Sequence, residues 1–139
     1  MGDGKNDRPL LAFAGACAAQ TSPTIVKTVN LSNETQLAGS LKSPVAIFTP
    51  AQNGFYRMTL CINPETGGYI QLCPSLMGSP LLNECVATTP GGSQSVIFAF
   101  GAKAGSAIGF YTDSNGVPYT GTYNINLVLE LLSEAAAAN

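Results

Sequence analysis

The tightest constraint in this sequence is an alternating run near its C-terminus, where Tyr123, Ile125, Leu127, Leu129 and Leu131 face off against Asn124, Asn126, Val128, Glu130 and Leu132. A helix would scatter the first five residues around its surface, whereas a strand places them all on one side. The run therefore predicts a β-strand with one face in a core. Phe55 to Ile62 repeats the pattern, with Tyr56, Met58, Leu60 and Ile62 on one face and Phe55, Arg57, Thr59 and Cys61 on the other. Arg57 and Glu130 share the outward side of these two runs and are suited to pair across a sheet.

Six more strands are expected, at Thr24 to Leu31, Val45 to Thr49, Gly68 to Cys73, Asn83 to Thr88, Ser95 to Phe100 and Ser106 to Thr112. Turn-forming clusters separate them, among them Pro50 to Gly54, Pro64 to Gly68, Pro90 to Ser93 and Asp113 to Pro118. Asn115-Gly116 is a strong hairpin signal. No amphipathic helix and no repeat of 20 to 50 residues interrupts the series. The expected fold is all-β, an antiparallel β-sandwich of about eight strands, with a jelly roll as the leading topology. An immunoglobulin-like sandwich is the second choice, although the chain lacks the buried Trp of antibody domains. The expected organisation is an extended N-terminal arm over residues 1–22, a sandwich over 23–132 and a C-terminal tail over 133–139.

Composition narrows function by exclusion. The chain has 139 residues, enough for one domain with a real core. It contains no His, so the commonest general base and zinc ligand are both missing, and serine-histidine and cysteine-histidine nucleophiles are excluded. Six Lys and Arg against eight acidic residues offer no basic stripe for a phosphate backbone, so no nucleic-acid partner is expected. No apolar run approaches the ~20 residues needed to span a bilayer as a helix. Only 10% of residues are charged, against about 25% in ordinary soluble proteins. Surface so thinly charged is expected to be covered by a partner.

The first 20 residues carry an apolar stretch, Leu10-Leu11-Ala12-Phe13-Ala14, ahead of the small residues Ala16 to Ala19. A secretory leader would want a net positive start, whereas Asp3 and Asp7 cancel Lys5 and Arg8. Ala14-Gly15-Ala16-Cys17 also lacks the branched residue that a lipobox places three before the Cys. The preferred reading is an uncleaved contact arm, with a processed leader as the alternative.

Four cysteines, Cys17, Cys61, Cys73 and Cys85, come without the C-x-x-C knuckles of a thiolate zinc site, so no metal is expected. Their preferred reading is free thiols serving as small strand residues. One or two disulfides remain open, with Cys61 and Cys73 able to face each other across a hairpin. Asp113-Ser114-Asn115-Gly116 opens like a calcium loop, but Val117 and Pro118 follow where further ligands would be needed. Asn30-Leu31-Ser32 and Asn33-Glu34-Thr35 match glycosylation acceptors, which matter only in a eukaryotic secretory route. Lys103, within Gly101 to Gly105, reads as a turn lysine. Paired carboxylates could run a glycosidase without His, yet Glu65, Glu84, Asp113 and Glu130 share no motif. No catalytic residue, cofactor or enzyme activity is expected.

Three segments carry a resemblance. Phe48 to Met58, reading FTPAQNGFYRM, resembles a "TPA-x-x-G-x-YR" segment of small jelly-roll-like structural proteins encoded by tailed bacteriophages. Gly101 to Thr112 resembles a glycine- and alanine-rich strand of that group, and Gly121 to Leu132 its closing strand. The resemblance spans Thr24 to Leu132. It implies an accessory virion component, of the capsid decoration or head and tail appendage type, that is often trimeric.

Together these readings give a non-enzymatic structural protein of a virion or similar assembly. It would bind copies of itself, with a trimer favoured, and a larger shell. The contacts expected are Leu10, Leu11 and Phe13 of the arm and Phe55, Val128 and Leu132 of the sandwich. The alternative is a secreted or cell-surface binding module, adhesin-, pilin- or lectin-like, whose N-terminal segment adds a strand to a neighbour.

Overall fold

A computed structural model of the chain describes residues 22–88 and 92–134. Among these described residues nine strands form two antiparallel sheets: β1 Thr24–Glu34, β2 Val45–Phe48, β3 Gly54–Pro64, β4 Ile70–Leu76, β5 Ser79–Pro80, β6 Val86–Thr88, β7 Gln94–Ala102, β8 Ile108–Asp113 and β9 Tyr123–Glu134. One sheet runs β1-β9-β3-β7, and the other runs β2-β8-β4 with β5 and β6 in succession along the far side of β4. With β5 and β6 taken as one interrupted strand, successive strands alternate between sheets at every step except the β4 to β5 hairpin, as in a jelly roll. The immunoglobulin-like alternative gives way to that order.

The two strongest alternating runs lie side by side at the centre of the first sheet. β3 and β9 pair from Pro64↔Tyr123 to Gly54↔Glu134. Met58, Leu60, Ile62, Ile125, Leu127 and Leu129 are fully buried between the sheets, facing Ile70, Leu72, Ile108 and Phe110 of the second sheet. Tyr123 is also buried, and its hydroxyl donates to the Gln36 carbonyl. That burial raises the pKa of the Tyr123 phenol. The long β1–β2 connection is tied down at Ala38, whose N–H donates to Thr112 Oγ1 at 2.6 Å while Thr112 N–H donates back to Ala38 O at 2.7 Å.

Two glycines permit close approach of backbones. A Cβ on Gly109 of β8 would stand 2.2 Å from Val45 O on β2, and one on Gly121 would stand 2.1 Å from Thr66 O. The second contact closes a corner in which Glu65 N–H donates to Thr122 O at 2.9 Å and Tyr119 hydroxyl donates to Thr66 O at 2.7 Å.

Several expectations need correction. Cys73 and Cys85 form a disulfide, with Cα atoms 4.3 Å apart, so they are not free thiols. Cys61 cannot face Cys73 across a hairpin, because the chain between β3 and β4 crosses from one sheet to the other. Cys61 has no disulfide partner among the described residues, and Cys17 lies outside them. The strand expected at Asn83 to Thr88 begins only at Val86, since Leu82–Glu84 is a 3₁₀ turn. Met77 and Gly78, both at positive φ, form the tight turn that returns β5 along β4. Asn115 and Gly116 do take left-handed φ, but their turn lies on the crossover from β8 to β9 and makes no hairpin.

Candidate functional site

The outward side of the four-stranded sheet is the candidate site, and strand register defines its rows. One row runs Ile25, Glu130, Arg57, Ala99; the next Thr28, Val128, Thr59, Ile97; the third Asn30, Asn126, Cys61, Ser95. The first holds one ion pair, the second is largely apolar or β-branched, and the third is small and uncharged. Phe55 lies beyond the first row, where its ring sits 3.6 Å from the Cβ position of its cross-strand partner Gly101. Large apolar groups are conspicuous on this side: Phe55 is 53% exposed, Ile25 60% and Ile97 64%.

Arg57 Nε donates to Glu130 Oε1 at 2.8 Å, the cross-strand pair that the sequence suggested. The hydrogen bond lowers the Glu130 pKa and raises that of Arg57. This neutralised pair leaves the middle of the face without net charge. At one end amides form a ladder: Asn126 Nδ2 donates to Asn30 Oδ1 at 2.6 Å, Asn33 N–H to Asn124 Oδ1 at 2.8 Å and Asn124 Nδ2 to Glu65 Oε2 at 2.6 Å.

Of the sandwich residues singled out from sequence, Phe55 is exposed and Val128 is half-buried on the outward side. Leu132 occupies a β-bulge: Tyr56 pairs with Leu131 and Phe55 with Ser133, leaving Leu132 between them, half-buried. Leu10, Leu11 and Phe13 lie outside the described residues. Ile25 and Ile97 were missed. Both sit in expected strands, but only the register across four strands shows that they share a face with Phe55.

Three surface clefts lie among the described residues, two of them bordering β7 and the third away from this sheet. One of about 370 Å³ lies between the Pro80 to Glu84 segment and Phe98 to Phe100 of β7. A second, of about 350 Å³, surrounds Phe55, Gly101 and Lys103, and a third, of about 270 Å³, lies by Tyr69 and Tyr119. Among the described residues the charged ones lining them are Glu84 and Lys103, which lie in different clefts. Among the described residues no group of three His, Cys, Asp or Glu side chains is placed to hold a metal ion. Nor is any helix there long and apolar enough to cross a membrane.

No protein-family model and no curated protein matches the sequence. Among solved structures, the PRD1 vertex protein P5 is similar with a TM-score of 0.54 at 12% identity, covering 81% of this chain and all 100% of that one. A subunit of Bacillus endospore appendages, described as disulfide-linked pili, gives a TM-score of 0.44 at 15% identity, covering 83% and 93%. The tobacco streak virus coat protein gives 0.41 at 11% identity, covering 81% and 89%. At 12% identity the likeness to the vertex protein speaks to the fold alone.

Proposed function

We propose that this protein is a non-enzymatic structural subunit that works by covering its apolar sheet surface with neighbours in a virion or comparable assembly. The observation that carries the reading is the outward face of the first sheet, where Ile25, Phe55 and Ile97 are each more than half exposed around a single neutralised ion pair. An exposed apolar patch framed by polar groups is the usual mark of an interaction surface. Fold likeness to a vertex protein and the resemblance of Phe48 to Met58 to phage structural proteins agree with that reading.

Replacing Phe55 with Ser, and separately deleting residues 1–20, tests it by the mass of the particle formed and by binding to its shell. Loss of assembly in the Phe55 variant is expected. Unchanged assembly in the Phe55 variant would overturn the role of the face, and unchanged assembly after the deletion that of the arm.

One observation favours a second reading, a secreted or cell-surface binding module. The Cys73–Cys85 disulfide belongs to an oxidising compartment, which a cytosolically assembled virion part does not need. Intact mass of protein from its native source, with and without reductant, separates the two. A chain shortened at its N-terminus and lighter by two hydrogens in the absence of reductant favours the secreted module. An unshortened chain favours the virion subunit.

A further inference from the structure

The four edges of the two sheets are not equivalent. β1 is broken by register shifts at Ile25/Lys27 and Leu31/Glu34 and carries a lysine. β2 is only four residues long, with a shift between Ala46 and Phe48. The edge made by β5 and β6 contains Pro80 and is interrupted by the segment from Leu81 to Cys85. Bulges, brevity, proline and edge charge are the devices that keep sheet edges from pairing with other chains. β7 has none of them. Its sequence, QSVIFAFGA, is uncharged and free of proline, and its nine residues pair with β3 without a register shift, from Ile62↔Gln94 to Gly54↔Ala102.

Among the described residues nothing pairs with the backbone N–H and C=O groups on the other side of β7, a stretch of about 30 Å. The 370 Å³ cleft opens beside Phe98, Ala99 and Phe100, and no backbone hydrogen bond joins the Pro80 to Glu84 segment to β7. The chemistry that satisfies such an edge is another extended backbone.

We propose that this edge pairs antiparallel with β7 of a second copy, joining the two four-stranded sheets into one continuous sheet across a two-fold axis. The proposal deepens the self-association reading above. Of the edges the chain can offer, β7 alone among the described residues is long, unbroken and uncharged enough to match β7. In the full-length register Phe98 lies on the axis, Ile97 faces Ala99 of the second copy and Ser95 faces Gly101. Each larger outward residue thus meets a smaller one, and Ile97, 64% exposed in one copy, gains a cover. The contact is isologous, so it closes as a dimer and does not propagate.

Sedimentation of the full chain over a range of concentrations, beside the Ser95→Lys/Ile97→Lys double variant, tests the proposal. A dimer that dissociates at least about tenfold more readily in the variant is expected. Hydrogen exchange in the unaltered chain guards against a folding artefact: amides of residues 94–102 should be protected at high concentration and exchange faster on dilution. A chain that is monomeric or trimeric throughout, an association unmoved by the two lysines, or exchange independent of concentration would each overturn edge pairing. So would association lost on deleting residues 1–21, which would assign the edge to that segment. The face reading fails separately, when Phe55→Ser leaves shell binding unchanged.

Discussion

β1 and β7 flank the same sheet, are of similar length, and face opposite fates. β1 interrupts its ladder twice, at Ile25/Lys27 and Leu31/Glu34, and carries Lys27 beside the first gap. β7 runs unbroken for nine uncharged residues. Both contribute apolar residues to the core, Val29 and Leu31 on one side and Phe98 and Phe100 on the other, so the contrast is not a matter of burial. A sheet needs each edge to pack inward. Whether the edge also resists a newcomer is decided by a few residues that add nothing to the core. The second sheet repeats the lesson, since its β5–β6 edge carries a five-residue excursion pinned by Cys73–Cys85.

Removing that pin has the largest expected effect. A Cys73→Ala/Cys85→Ala variant releases a closed loop with 12 residues of separation and should lose about 3 kcal/mol in denaturant unfolding. A loss confined to a few tenths would mean that the excursion holds its shape without the bond. Next comes Gly109→Ala, which drives a methyl group against Val45 O and should part the short edge β2 from β8. We expect at least about 1 kcal/mol of destabilisation, with faster exchange of the β2 amides. The reciprocal swap addresses the first sheet itself. Lys27→Ile and Ile97→Lys should each move monomer stability by no more than about 0.5 kcal/mol, because both sites are exposed. Their effects on light scattering should be opposite in sign, the first raising association and the second lowering it. Equal effects would erase the distinction between the edges.

The smallest effect belongs to the Arg57–Glu130 pair, in the row that links them. Its hydrogen bond depresses the Glu130 pKa in the folded chain, so the stabilisation is present above the unfolded carboxyl value and is lost as pH falls through the folded value. Stability of the unaltered chain and of Glu130→Gln should differ slightly at pH 7 and converge only once the pH has fallen through the lowered Glu130 value. A difference that persists in acid would mean that Glu130 acts through packing.

Much of this architecture was legible in the chain. Alternation at Phe55 to Ile62 and Tyr123 to Leu131 located the two central strands, because each buries one whole face and tolerates no slip. The Arg57–Glu130 pair followed from the same alternation. Where the period fails, legibility fails with it. Leu131 and Leu132 read as opposite faces, yet a bulge leaves both half-buried. The disulfide was hidden because β3 and β4 look like a hairpin in sequence and lie in different sheets in space. The candidate face was visible only in part: Phe55 announces itself as an apolar residue on the wrong side of a strand, whereas Ile97 gains its meaning from sitting in register with Val128, two strands away. The open edge of β7 is written plainly as nine uncharged residues, but nothing local tells an edge from a centre.

The central claim is that surface this poor in charge exists to be covered, and sedimentation equilibrium of the full chain from low to high micromolar concentration tests it most directly. The expected result is reversible association that rises with concentration and weakens when Ser95 and Ile97 are replaced by lysine. A chain that stays monomeric and soluble across the whole range would contradict it.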